Sequence, residues 1–296
     1  MSEHERTYWR DAALGEPRDL ALPAGKLRVF ESGSGSPIVF VHGLLVNANL
    51  WRKVIPRLSP DFRCVAPDMP LGSHKLAMPD ADLSPLGLAN LIADAIEAAG
   101  LEDVTLVGND TGGALCQLVV AHRPERIGRL VLTSCDAYDN FPPRFFQIVL
   151  APALIPGAAR FVFAPLRLRA LRELPIAFGW LMHSKLDAAA GDSYVLPALT
   201  SAAIGADVRR AMRGIRPRYL LEAAERFGDF QRPVLIAWSR DDRFFRAEHA
   251  ERLASDFPNA RLEWVENART FSAEDQPERL AELIAGFVRE PVGVRR

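Results

Sequence analysis

Residues 104–120 read VTLVGNDTGGALCQLVV, two apolar runs joined by one tight glycine-flanked turn. The first run is short, β-rich and without polar alternation, which predicts a strand buried on both faces, the habit of a parallel sheet. The second, extending over 112–125, is apolar on most faces and predicts a helix packed under that sheet. A parallel strand needs a crossover before its neighbour, so this segment belongs to a repeating strand–helix order.

The rest of the chain supplies that order. LRVFES (27–32), IVFVHG (38–43), FRCVAPD (62–68), VTLVG (104–108) and IGRLVLT (127–133) read as strands, and GSGSP turns between the first two. ANLWRKVIPRL (48–58) has helical apolar spacing, with Pro56 near its end. SPLGLANLIADAIEAAG (84–100) carries a serine N-cap, proline in the first turn and a closing glycine. After Thr133 the rhythm breaks, and residues 137–229 hold many prolines and arginines, three of the four tyrosines, and helical patterns without strands. It resumes with PVLIAW (233–238), a helix at 247–257, RLEWVE (261–266) and an amphipathic helix at 277–290. The expected layout is α/β, with core segments 1–136 and 230–296 and a helical cap at 137–229. PVGVRR (291–296) reads as a loose tail.

At 296 residues the chain can bury a substantial core, and 49% hydrophobic with 25% charged residues is an ordinary globular balance. Lys+Arg 36 against Asp+Glu 37 gives no electrostatic reason to expect nucleic acid or anionic lipid. Cys64, Cys116 and Cys135 sit in or beside apolar runs, and an odd count there predicts buried thiols in a reducing, cytoplasmic setting. No cysteine or histidine spacing suggests zinc, and no cofactor is expected. The first twenty residues lack the apolar stretch of a secretory signal. Residues 145–163 are the most apolar, but Pro152, Pro156 and Arg160 argue against a spanning helix. That stretch reads mainly as packing between cap helices, with contact to a lipid or lipid-like substrate as the alternative. A monomer or homodimer is expected.

Gly108-Asn109-Asp110-Thr111-Gly112 follows a strand and opens a helix. This is the glycine–nucleophile–glycine elbow, which thrusts its central side chain above the sheet. The plainer alternative is that Asp110 only caps the helix. With the other segments, the chain resembles the α/β-hydrolase superfamily, and within it the aspartate-nucleophile branch of haloalkane dehalogenases and epoxide hydrolases. The resemblance covers nearly the whole chain and is weakest in the cap. It implies an α/β-hydrolase fold, a mostly parallel sheet with a helical cap after the sixth strand, and Asp110 as nucleophile. It implies Leu44 and Thr111 as backbone donors of an oxyanion hole, because VFVHG matches the family's His-Gly loop. WSRDDRFF (238–245) matches the segment that carries the acid, at Asp242. TSCDAYDNFPP (133–143) matches a second place where some dehalogenases carry it, at Asp136. ARTFSAEDQPERLAE (268–282) matches the loop and helix of the family's histidine, and Thr270 stands there instead.

In that chemistry a carboxylate displaces halide or opens an epoxide, leaving an ester that an imidazole-activated water cleaves. A threonine hydroxyl has no useful basicity near neutral pH. His74, after a strand end, and His183, in the cap, are the candidate substitute bases. His42 reads as structural, His249 and His122 as peripheral, and His4 as part of the N-terminus. The residues that read the substrate depart as well: Thr111 stands where dehalogenases carry Trp, Leu44 where they usually carry Asn, and HGLL where epoxide hydrolases carry HGxP. Tyr138, Tyr194 and Tyr219 lie in or near the cap.

Three functions follow. The first is a hydrolase using Asp110 on a small apolar molecule of haloalkane, epoxide or ester type. The second is an acid/base enzyme of lyase, isomerase or cyclase type. The third is a catalytically silent binding protein.

Overall fold

The computed structural model describes residues 2–290, so the PVGVRR tail lies outside the described residues. Eight strands form one sheet: β1 (Glu16–Leu22), β2 (Gly25–Ser32), β3 (Pro37–Val41), β4 (Arg63–Pro67), β5 (Val104–Asp110), β6 (Ile127–Cys135), β7 (Val234–Ser239) and β8 (Ala260–Val265). Their order is β1-β2-β4-β3-β5-β6-β7-β8. β2 runs antiparallel to β1 and β4, and every pairing from β4 across to β8 is parallel. The continuous apolar runs take the centre. β6 is buried at every position, and β5 at every position except Asp110.

Two elements differ from the sequence expectation. β1 was not visible in the pattern because Glu16, Pro17, Arg18 and Asp19 are all exposed on a sheet edge. It exists as a hairpin partner of β2, with Leu22 opposite Gly25 across a two-residue turn. Residues 48–58 are not one helix but a 3-10 turn, Ala48–Trp51, and a separate turn, Ile55–Leu58. Asn47 and Asn49 explain the break. Asn47 accepts the Asn49 N–H, while both side-chain amides donate to Ser193, and such bonds compete with a helix.

The helices between strands follow their signals. α1 (Pro85–Ala98) starts where the Ser84 hydroxyl accepts the Gly87 N–H. α2 (Thr111–His122) is buried from Thr111 to Val120, which accounts for its all-round apolar pattern. The insertion between β6 and β7 is helical, with α3 (Arg144–Leu150), α4 (Ala188–Thr200), α5 (Ala202–Gly214) and several short turns. α6 (Ala247–Asp256) and α7 (Pro277–Arg289) complete the core. Cys64, Cys116 and Cys135 are buried free thiols. No helix among the described residues is long and apolar enough to cross a membrane. The insertion nevertheless exposes large apolar side chains, with Ile148, Ile155, Phe161 and Leu168 each more than half accessible.

The loop between β8 and α7 holds Thr270, and one buried ion cluster pins it. The Glu274 side chain is almost fully enclosed, taking Arg52 Nη2 at 3.0 Å and Lys53 Nζ at 3.0 Å. The Asp275 carboxylate accepts the backbone N–H groups of His183, Ser184 and Arg269, which ties the insertion to the same loop. Glu274→Ala leaves the buried Arg52 unpaired, which is expected to cost about 3–5 kcal/mol in denaturant unfolding. A loss under about 1 kcal/mol, the worth of an exposed pair, would contradict this account of the loop.

Candidate active site

Asp110 ends β5 and precedes α2 with φ 54° and ψ −132°, a conformation that L-residues rarely adopt. Holding a non-glycine residue there costs about 1–3 kcal/mol, so the surroundings must impose it. They do so by close approach. A Cβ built on Gly43 would lie 2.4 Å from Asp110 Oδ2; one on Gly112 would lie 2.3 Å from the Val41 carbonyl oxygen. On Gly113 it would lie 2.3 Å from Cys135 Cβ, and on Gly108 2.6 Å from Gly113 Cα. These glycines supply space rather than a positive φ, and the strained residue is the aspartate itself. Its side chain makes no N-capping bond to α2, although the N–H of the adjacent Thr111 helps to hold its carboxyl down.

The carboxyl faces a cavity of about 310 Å3 between the strand ends and the insertion. Asp110, Thr111 and Asp136 are its polar lining residues; the rest of the lining is apolar, with Leu44, Leu45, Phe146, Leu166, Phe178 and Leu181 among it. A crevice at the carboxyl ends of parallel strands is the expected place for a ligand in such a sheet.

Asp136 follows β6 and is fully buried. Its Oδ2 accepts the Thr111 hydroxyl at 3.2 Å, and Oδ1 has no partner among the described residues. Gln117 Nε2 donates to the Asp136 carbonyl oxygen at 2.8 Å, fixing the loop. Asp242 follows β7, and its Oδ1 accepts the N–H groups of Phe244 and Phe245 at 2.8 and 2.9 Å. Its Oδ2 is buried and unpartnered, as is the Thr270 hydroxyl. That hydroxyl, together with the Ser134 hydroxyl, stands close enough to help hold the Asp242 carboxyl down.

Burial dominates the electrostatics. It pushes Asp110 up to about 7, opposed by the Thr111 N–H and aided by the charge of Asp242. Asp136 is raised well above the carboxylate range by burial and then by the charge of Asp110. Asp242 is raised by burial to about 6, the Phe245 and Phe244 N–H groups pulling the other way. Among the described residues, no cationic side chain lines the cavity. Among the described residues, no group of three or more His, Cys, Asp or Glu is placed to hold a metal ion.

The two candidate substitute bases stand elsewhere. His74 is buried with Nε2 3.1 Å from Asp207 of α5, while its Nδ1 takes the Gly72 N–H. His183 is exposed and bonds Asp241 at 3.0 Å. Neither lines the cavity. His42 accepts the Met69 N–H and bonds the Gly43 carbonyl, and burial pushes it down to about 4, in keeping with its structural reading. Tyr138 donates to Asp256, and neither it nor Tyr194 nor Tyr219 lines the cavity. Leu44 lines the cavity, and its N–H has no partner among the described hydrogen bonds. Sequence reading missed Asn109, whose amide donates to the carbonyls of Thr133 and Ser134 and, at 2.7 Å, to that of Thr270. It holds the Thr270 loop to the end of β6. An amide within the elbow was the available signal.

A family model described as alpha/beta hydrolase fold matches residues 36–277, and the chain belongs to that family. An uncharacterized protein of Mycobacterium tuberculosis is 28% identical over 97% of this chain and 86% of its own length. Haloalkane dehalogenase 2 of the same organism is 27% identical over 88% of this chain and 90% of its own. Among solved structures, the haloalkane dehalogenase DatA of Agrobacterium tumefaciens superposes with a TM-score of 0.78 at 22% identity, covering 95% of this chain and 99% of that one. An alpha/beta hydrolase fold protein of Burkholderia ambifaria does so at 0.78 and 24%, covering 91% and 97%.

A carboxyl raised on folding costs stability as it ionises. The native state binds more protons than the unfolded chain between the unfolded value near 3.8 and the folded value near 7, so stability falls as pH rises through that window. Asp110→Asn removes this term. Its melting temperature relative to wild type is expected to climb from pH 4 to pH 7 and then level. A variant less stable than wild type by several degrees at pH 7 would favour a structural aspartate.

Proposed function

We propose that the chain is a hydrolase that uses Asp110 as a nucleophile on a small apolar molecule, with Thr270 in the place of the catalytic histidine. The strained elbow supports this reading: at φ 54° the Asp110 carboxyl packs against Gly43 and lines an apolar cavity, and it does not N-cap α2. The relatives named haloalkane dehalogenase support the same kind of substrate. The oxyanion donors in this reading are the N–H groups of Leu44 and Thr111, the second of which acts on the Asp110 carboxyl. Asp242, beside the Thr270 hydroxyl, occupies the position of the orienting acid.

The cavity lining contains no imidazole, so attack on carbon and release of the ester are unequally served. Alkylation needs only an ionised, aligned carboxylate; release needs an activated water. Incubation with a reactive bromoalkane is therefore expected to leave one alkyl group per chain, found by intact-mass spectrometry and mapped to the peptide holding Asp110. Asp110→Asn is expected to abolish it. Rapid turnover of the bromoalkane with no adduct would mean that another base has taken over. Absence of both adduct and turnover would move weight to a lyase- or isomerase-type acid/base role, or to binding alone.

A further inference from the structure

Asp136 is the second ionisable side chain on the cavity wall, and the reading above gives it no task. Its geometry is unusual for an acid whose job is to orient a base. It shares the wall with Asp110, one oxygen is engaged by the Thr111 hydroxyl, and the other is fully buried without a partner. A buried, unpartnered carboxyl oxygen beside a ligand cavity is an unmet hydrogen bond that a ligand can complete. The ionisable groups facing it are Asp110 from the elbow and Asp242 from the loop after β7, with Cys135 adjacent on its own strand. The insertion contributes no charged side chain to the cavity lining. Every facing group is thus acidic or neutral, and a proton on Asp136 relieves the repulsion.

Resting on the nucleophile reading, we propose that Asp136 is a catalytic proton shuttle and that the substrates are small apolar molecules whose leaving atom is oxygen, as in a strained cyclic ether. A departing halide needs no proton, and the neutral hydroxyl of the lining, that of Thr111, is already engaged by the carboxyls beside it. A departing alkoxide does need a proton. No tyrosine lines the cavity to give one, whereas Asp136 stands beside the nucleophile. Burial and the charge of Asp110 raise its hold on a proton well above that of an ordinary carboxyl, while Asp110 is raised to about 7.

The step balances within the site. The Asp110 carboxylate attacks a ring carbon and forms the ester C–O bond. The ring C–O bond breaks with its electron pair on oxygen, and that oxygen takes the proton of Asp136. A hydroxyalkyl ester and an Asp136 carboxylate result. Water then adds to the ester carbonyl carbon and gives a proton to Asp136. Collapse of the intermediate expels the alcohol, whose oxygen takes the remaining hydroxyl proton, and Asp110 is left as a carboxylate. The Asp136 carboxyl, with its raised affinity for a proton, thereby supplies both transfers.

The test compares a terminal epoxide with a terminal bromoalkane of equal chain length, following modification of Asp110 by mass and diol by chromatography. Asp136→Asn is expected to lower epoxide opening relative to bromoalkane alkylation by about 10²–10⁴, the usual worth of general acid catalysis. In the wild type, bromoalkane alkylation should rise with pH through about 7 as Asp110 ionises. The epoxide-to-bromoalkane ratio should fall at higher pH, as Asp136 loses its proton. This profile needs no variant and decides the matter if Asp136→Asn fails to fold. A ratio unchanged in the variant and flat with pH would overturn the role of Asp136 while leaving the nucleophile in place. Failure of both reagents to modify wild-type Asp110 would overturn the nucleophile reading and this proposal with it.

Discussion

The close approach of β3 and β5 around one carboxyl is the constraint on which the rest depends. Val41 pairs with Gly108, and the chain then passes within a Cβ's reach of Asp110 at Gly43 and of Val41 at Gly112. An alanine at either glycine would put a carbon inside contact distance of the aspartate side chain or of the neighbouring backbone. The crowding forces the positive φ, and the positive φ lifts the carboxyl out of the sheet. Sheet register thus sets where the Asp110 carboxyl stands.

Lifting it brings a second problem, because the Asp136 carboxyl lines the same cavity and the charge of Asp242 also acts on Asp110. None of the three carboxyls has a cation to offset it, and in each the first cause of the raised proton affinity is burial. Partial remedies come from fixed dipoles: the Thr111 N–H for Asp110, its hydroxyl for Asp136, and the N–H groups of Phe244 and Phe245 for Asp242. An uneven distribution of such donors sets neighbouring acids apart in proton affinity, which is how one fold gives separate roles to like groups.

The fold was largely legible because its signals are local. Central strands buried on both faces read as unbroken apolar runs, and Ser84-Pro85 announced a helix start. β1 was hidden because an edge strand needs no apolar face, and the 48–58 helix was overread because its asparagines take long-range partners. Asp110, Asp136, Asp242 and Thr270 were read only as positions in a resemblance, and of these Asp110 and Asp136 line the cavity. That Asp136 shares the cavity wall with Asp110 is a property of strand ends 26 residues apart in the chain, and no local spacing encodes it. That neither His74 nor His183 lines the cavity is likewise tertiary. Each is held by an aspartate from another segment, Asp207 and Asp241. Asn109 escaped notice because its partners come from β6 and from the loop after β8.

Asp110, Asp136 and Asp242 are three buried acids whose proton affinities burial raises, with no cation among the causes that shift them. A titration of the aspartate carboxyl carbons by carbon-13 NMR, with Asp110→Asn, Asp136→Asn and Asp242→Asn spectra for assignment, reads that state directly. At least one of the three is expected to keep its proton at neutral pH, and replacing Asp110 should lower the titration of Asp136, since the charge of Asp110 helps to raise it. Three carboxyls that all ionise below about pH 5, within the ordinary range for aspartate, would contradict the account.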